Sequence, residues 1–175
     1  MRALGQRFLK SIAGTAAIEF AIIAPMMVVL IAGVVEIGRA YQVYNAANRL
    51  ATQYAIAWAD CSDSPAGTCN TETSYFNNAS SIANIAPQLI ANQLSLTMFQ
   101  VTMVGTTPTV VYASPSGATP SSTQISAAQA ILTNGQSGII VTSTYTHTLQ
   151  YFQAAMTSAL SSYLTASFTA VQLKY

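Results

Sequence analysis

The fold is decided by one continuous stretch near the start of the chain, residues 15–59, which read TAAIEFAIIAPMMVVLIAGVVEIGRAYQVYNAANRLATQYAIAWA. Within it, the sixteen residues 20–35 carry no charged side chain. With their apolar flanks they make a segment of about 24 residues, 15–38, and roughly 20 helical residues cross the hydrocarbon core of a bilayer. The sequence therefore predicts a transmembrane helix over residues 15–38.

The charges around this segment predict its orientation. Three basic residues precede it and no acidic residue comes before Glu19; the basic ones are Arg2, Arg7 and Lys10. Basic residues beside a membrane segment stay in the cytoplasm, so we expect a cytoplasmic leader (1–14) and an exported, periplasmic domain (39–175) on a single-pass inner-membrane protein. A cleaved secretory signal is the alternative; the length of the apolar run and the lack of a small-x-small cleavage site after it argue against it.

The helix is expected to continue beyond the membrane to about Ala59. Apolar and aromatic residues recur there at spacings of three and four, which is typical of one buried helix face: Ile37, Tyr41, Tyr44, Leu50 or Ala51, Tyr54 and Trp58. Polar residues fall on the other face: Asn45, Asn48, Arg49 and Gln53. We interpret the aromatic stripe as core that packs on a sheet and not as a ligand site.

The rest of the chain alternates in the manner of strands. Strands are predicted over 94–104, with a phase slip at Phe99–Gln100 that indicates a bulge, over 138–151, with one buried and one wet face, and over 164–175. Residues 109–113 either extend the first strand or pair with it. Further helices are predicted at 80–94, interrupted near Pro87, and at 124–134, capped by Ser122. The predicted class is α+β: a long N-terminal helix packed on a small antiparallel sheet of about three strands.

Composition excludes several classes of function. Charged residues make up 6% of the chain, against about 25% in average soluble proteins. There is no Lys or Arg between Leu50 and Leu173, so the basic patch that nucleic acid needs is missing. The single histidine, His147, falls on the same face of its predicted strand as the apolar residues and is interpreted as a core residue. With no phosphate-binding loop or nucleophile motif, we expect neither an enzyme nor a cofactor.

Two cysteines, Cys61 and Cys69, enclose the turn-forming residues SDSPAGT in the exported part. Disulfides persist in that compartment, so we predict a structural disulfide that closes a short loop. A metal site lacks ligands at a recognised spacing, and a redox pair is usually closer. Three nearby acids, Asp60, Asp63 and Glu72, are read as a solvated loop because they match no calcium-binding loop. No metal is expected.

Glu19 stands out because a carboxylate costs about 2.5–3.5 kcal/mol at the centre of a membrane and therefore usually has a partner. Gly14 lies five residues before it. Pro25 removes one helical hydrogen bond, so it either loosens the helix or is a tolerated transmembrane proline. Glu36 and Arg39, three residues apart, are predicted to form an exposed pair that ends the span.

The stretch AAIEFAIIAPMMVVLIAGVVEIGRAY resembles the TadE-like family of Tad/Flp pilus assembly proteins. The matching elements are Glu19–Phe20, Ala24–Pro25, the aliphatic run and Glu36–Arg39. The resemblance implies that a prepilin peptidase cuts GTAAIEF after Gly14, with Thr15 as the new N-terminus. The new amine would lie one helical turn from Glu19, close enough to pair, or would meet the Glu19 of a neighbouring subunit.

The resemblance also implies a function: a minor pilin, or pseudopilin, of a Tad (Flp, type IVc) pilus that acts in assembly, priming or tip adhesion and biofilm formation. The implied partners are the prepilin peptidase, other minor pilins, the major Flp-type pilin and the assembly platform in the inner membrane. Incorporation into the pilus itself is a further expectation. The alternative is a membrane-anchored periplasmic module that binds a small ligand, with the pilin-like start serving only as an anchor.

Overall fold

The computed structural model describes residues 12–60, 82, 84–151 and 164–174. The described part includes two helices and four strands with complete bounds, and a 3₁₀ turn, Ala91–Gln93, precedes the first strand. The elements are α1 (Ile12–Ala59), β1 (Leu94–Val104), β2 (Thr107–Ser114), α2 (Ser122–Ile131), β3 (Ser137–Thr146) and β4 (Thr165–Lys174). The predicted α+β class is confirmed, as is the end of the long helix at Ala59.

The chain divides into two compact units, Met1–Arg39 and Ala40–Tyr175. In the first unit the apolar side chains of α1 are exposed around the whole helix; Phe20, for example, is 72% exposed and Val34 71%. A helix that is apolar on every side needs an apolar environment. By length and composition α1 can cross a membrane, and none of its most apolar window is buried inside the protein.

In the second unit the strands form one antiparallel sheet in the order β2-β1-β3-β4. Residues 109–113 pair with the first strand, which was one of the two predicted alternatives, so the sheet has four strands where about three were predicted. A two-residue turn joins β2 to β1, since Val104 pairs with Thr107. Gly105 has a φ of 65° in this turn, a conformation that glycine adopts at little cost.

One face of the sheet packs against the C-terminal part of α1. The helix buries a row that is rich in alanine, and its members join Met98, Ile139, Val141 and Tyr145 in one core: Val43, Ala47, Leu50, Ala51, Tyr54, Ala55, Trp58 and Ala59. The predicted stripe was right at Tyr44, which is half-buried against this core, and from Leu50 onwards. It was wrong at Ile37 and Tyr41, which are 72% and 69% exposed. The four residues predicted on the polar face are exposed.

The other face of the sheet is covered in part by α2. Ala128 of this helix and Leu132, the residue that follows it, join the strand residues Phe99, Val101, Met103 and Ile140 in a second core. This explains the phase slip in β1, because the strand buries one parity against α1 and then the opposite parity against α2. The β1–β2 register also shifts between Gln100 and Val101, next to the predicted bulge, but the extra residue there is Val111 of β2, and β1 pairs with β3 without a shift.

The central strand β3 is buried on both faces from Gly138 to Ser143, so the prediction of one wet face was wrong over this part. It also ends at Thr146, before the predicted Tyr151. His147, just after the strand, is buried as predicted, with 9% exposure. The second helix starts slightly earlier than predicted, and its cap is Ser121, not Ser122.

Candidate functional site

The predicted processing residues all lie on the first turns of α1. Gly14, Thr15, Glu19 and Phe20 are helical, and the last three are exposed. Thr15 and Glu19 are four residues apart, so they occupy the same helix face one turn from each other.

Pro25 lies in the exposed apolar part of α1. It has no N–H to donate to the carbonyl of Ala21, so one helical hydrogen bond is missing there. The helix nonetheless continues through Pro25 to Ala59. The site is a local weakness within a continuous helix.

Glu36 differs from expectation. Its side chain is only 5% exposed, whereas Arg39 is exposed, so the two do not form the exposed pair that was predicted. Glu36 takes part in a polar or electrostatic interaction. Because a buried carboxylate is costly unless other groups hold it, Glu36 is a constrained structural position and not a solvated end of the span.

Aromatic contacts hold the second half of α1 to the sheet. The rings of Trp58 and Tyr112 meet edge-to-face with centroids 5.2 Å apart, and those of Tyr44 and Phe168 are 6.3 Å apart. Burial, and secondly the neighbouring Tyr145, raise the pKa of Tyr44. Tyr44 therefore serves as a neutral packing group at physiological pH.

A polar cluster lies around the hydroxyl of Tyr145. This hydroxyl donates to Oε1 of Gln93 at 2.9 Å and accepts from the backbone N–H of Ile90 at 3.5 Å. Nε2 of Gln93 in turn donates to the hydroxyl of Thr148. Burial raises the pKa of Tyr145, against the opposing effect of the Ile90 bond. The cluster fixes the Gln93 amide at the start of β1.

Open grooves lie on the second unit, and in three of them the described lining residues include one cation, Arg49, and no carboxylate. The first, about 260 Å³, runs along α1 beside Arg49, and the second, about 420 Å³, lies between the β1–β2 turn and the end of α2. The third, about 410 Å³, is lined by Asn92, Gln93, Leu94, Ser95, Thr144, Thr146 and Thr148. Neutral amides and hydroxyls of this kind bind by hydrogen bonds and do not perform acid–base chemistry.

Among the residues that the structure describes, no group of three His, Cys, Asp or Glu side chains comes together as a metal site. The predicted Cys61–Cys69 disulfide, together with Asp63 and Glu72, lies outside the described residues. Asp60, at the end of α1, is exposed.

Sequence reasoning missed Gln124, which is 93% buried (7% exposed) and contacts two strands. Its place three residues after Ser121 matches the capping-box pattern and was the available signal. The two residues bond reciprocally: the Ser121 N–H donates to Oε1 of Gln124 at 2.7 Å, and the Gln124 N–H donates to Oγ of Ser121 at 3.3 Å.

Comparison with known proteins bears on the N-terminal part of the chain. Residues 14–55 match the family model of TadE-like proteins, which confirms the resemblance predicted from the sequence. The match begins at Gly14 and covers Glu19, Pro25, Glu36 and Arg39. No curated protein and no solved structure matches the chain.

Proposed function

Because residues 14–55 are a TadE-like segment, we propose that the chain is a minor pilin, or pseudopilin, of a Tad (Flp, type IVc) pilus. It acts in pilus assembly or priming, or at the tip in adhesion and biofilm formation. The observation that carries this proposal is the coincidence of the family match with an exposed apolar helix that starts at a Gly14–Glu19 pair.

The protein is anchored in the bacterial inner membrane by residues 15–38. The basic leader, 1–14, stays in the cytoplasm and residues 39–175 form the periplasmic domain. The exposed apolar surface of α1 supports a lipid environment, because water would penalise it heavily. The same surface supports packing against the apolar helices of other pilins once the protein leaves the bilayer.

A prepilin peptidase removes the leader after Gly14, and Thr15 becomes the N-terminus. The freed amine is positive at neutral pH, and Glu19 lies one helical turn away on the same exposed face. Within one chain or between neighbouring subunits, this pairing neutralises a carboxylate that would otherwise be costly in an apolar bundle. Cleavage thereby makes the helix able to assemble.

The work of the protein is packing and not catalysis. Its periplasmic domain presents neutral hydroxyl and amide groups, which suit contacts with other minor pilins, the major Flp-type pilin and the assembly platform. An enzyme or a nucleic-acid partner is not supported, because the domain has few acids and almost no basic residues. No cofactor or metal enters this role.

A second candidate function is a membrane-anchored periplasmic module that binds a small ligand. The neutral groove of about 410 Å³ at the start of β1 favours it, since small-molecule sites are roughly 300–1,000 Å³ in volume. In that case the pilin-like start is only an anchor, and blocking its processing leaves ligand binding intact.

The experiment that tests the pilus role replaces the gene by variants in its host. Gly14→Ala should abolish pili recovered by shearing, whereas Gly38→Ala should support them, because a Cβ at residue 38 meets no atom within 4 Å. A second pair of variants is Glu19→Gln and Asp60→Asn. Glu19→Gln should abolish pili, whereas Asp60→Asn, which removes an exposed carboxylate just after the end of α1, should support them. Normal pili in the Gly14→Ala and Glu19→Gln strains would overturn the proposal.

The same strains separate assembly from tip function. Sheared-pilus and inner-membrane fractions are probed for the chain. Recovery in the pilus fraction supports incorporation at the tip or along the filament, and recovery only in the inner membrane supports an assembly or priming role.

A further inference from the structure

The face of the sheet that α2 covers only in part continues as a surface of hydroxyl groups. In the register of the strands, Ser95 of β1, Thr144 of β3 and Ser167 of β4 form one row across the sheet. Thr146 and Thr165 form the next row. We call these five residues the hydroxyl face; four of them are exposed and Thr144 is half-buried.

The hydroxyls are held in fixed positions by bonds between strands. Those of Thr144 and Ser167 are 2.8 Å apart, and those of Thr146 and Thr165 are 3.1 Å apart. In each pair one hydroxyl donates to the other, so one hydrogen and several lone pairs remain for a ligand. Because the side chains are already ordered, a ligand loses less free energy on immobilising them.

The buried side-chain amide of Gln124 lies between the hydroxyl face and the core under α2. Nε2 of Gln124 lies 2.8 Å from the hydroxyl of Thr142 and 3.3 Å from that of Thr97, and Thr142 also bonds to Thr169 at 2.8 Å. This row is satisfied within the protein. The next row outwards, through Thr144, is where the sheet becomes open to solvent.

The hydroxyl face adjoins the groove of about 410 Å³ whose lining includes Asn92, Gln93 and Thr148. The amide of Gln93 is fixed by Tyr145 and bonds to Thr148. Three strands span about 10 Å at the usual spacing, so the surface offers an extended array of donors and acceptors. Among the residues that the structure describes, neither the hydroxyl face nor the lining of the groove includes a charged side chain.

These properties select the chemistry of a ligand. An anion would lack a cationic partner at this site, and a cation would lack a carboxylate. A ligand that is neutral and carries closely spaced hydroxyls, each able to donate and accept, matches the array. We propose that the hydroxyl face and its groove bind a neutral oligosaccharide.

This inference does not depend on the pilus role, since it concerns only residues of the sheet and its adjoining turn. A chain that binds oligosaccharide without being processed would support the inference and overturn the pilus proposal. A processed chain that does not bind oligosaccharide would support the pilus proposal and overturn the inference.

The test is saturation-transfer difference NMR on the full-length protein in a zwitterionic detergent without a sugar headgroup. The probes are cellotetraose and chitotetraose, which are neutral, and tetragalacturonate, which is anionic. We expect saturation transfer to at least one neutral probe and none to the anionic probe.

The matched variants are Thr144→Val with Thr146→Val, and Thr109→Val as the control. Valine keeps the shape and strand preference of threonine but removes the hydroxyl, and Thr109 is an exposed threonine of β2 outside the groove. The double variant should bind about tenfold more weakly or worse, and the control should bind normally. Ser95→Ala serves as a second test if the double variant fails to fold by circular dichroism.

Absence of transfer to both neutral probes, or equal binding by the wild type and the folded hydroxyl variants, would overturn the inference. Either result would show that the hydroxyl face is a solvated face only.

Discussion

Ser143 and Ala47 join the central strand to the long helix through one buried hydrogen bond. The hydroxyl of Ser143 donates to the backbone carbonyl of Ala47 at 2.8 Å, and both residues are fully buried. The helix backbone approaches the strand this closely because both side chains are small. The contact therefore fixes where the second half of α1 lies on the sheet.

Enlarging Ser143 should disturb this contact more than removing its hydroxyl. Ser143→Ala removes one hydrogen bond and should cost about 1 kcal/mol in free energy of unfolding. Ser143→Val adds volume to a close-packed interface and should cost about 1–3 kcal/mol more. Denaturation followed by circular dichroism measures both, with Ser95→Ala as the exposed control on the neighbouring strand. A valine variant as stable as the wild type would contradict this packing.

Trp58 should be the largest single contributor to the core between α1 and the sheet. It is 2% exposed and meets Tyr112 edge-to-face. Trp58→Ala should reduce the free energy of unfolding by about 3–5 kcal/mol. Tyr41→Ala, at an aromatic position of the same helix that is 69% exposed, should change it by less than about 0.5 kcal/mol. Equal effects in urea titrations would show that the buried row is assigned to the wrong helix face.

Gln124 should stabilise the start of α2 and the strands beneath it at once. Gln124→Ala removes the reciprocal bond to Ser121 and leaves the Thr142 hydroxyl without its amide partner, so we expect a loss of about 1–3 kcal/mol. The control is Thr123→Ala, exposed on the same turn. Amide hydrogen exchange should quicken across α2 in the first variant and not in the second; unchanged exchange in both would refute the role of Gln124.

The fold should lose stability at alkaline pH because of its buried tyrosines. Burial raises the pKa of Tyr54 well above its ordinary value of 10.0. The folded protein then keeps a proton that the unfolded chain releases, so the stabilisation is complete below pH 10 and is lost as the pH rises above it. Tyr54→Phe removes this group, and its unfolding free energy should fall less steeply between pH 9 and 11 in denaturant titrations. An unchanged slope would exclude Tyr54 as a source of the effect.

The long helix was predictable because a charge-free run and a continuing periodic pattern reinforce each other from residue 15 to 59. The face of the helix that is buried was harder to predict. Apolar residues lie on several sides of the helix, and their spacing alone does not indicate which side packs on the sheet. Packing chose the row with alanines, such as Ala47 and Ala51, because small side chains let the helix approach the sheet. Ile37 and Tyr41 match the period equally well but are exposed.

The presence of an antiparallel sheet was predictable from the sequence, but the packing of a helix on each of its two faces was not. The phase slip in β1 was visible in the sequence, yet its cause, the cover that α2 provides on the second face, depends on long-range packing. For the same reason the apparently wet residue Thr142 is buried beside Gln124. Glu36 shows most clearly that burial cannot be predicted from the local sequence, because nothing in the spacing of nearby charges indicates that its side chain is buried.

The central claim, that the protein is processed as a pilin, is tested most directly by intact-mass spectrometry of the chain from its own host. With an active prepilin peptidase we predict a mature chain that begins at Thr15 and lacks residues 1–14, whereas the Gly14→Ala variant should retain its leader. Deleting the peptidase should restore the leader in the wild type. A wild-type chain that still begins at Met1 in cells with active peptidase would contradict the account.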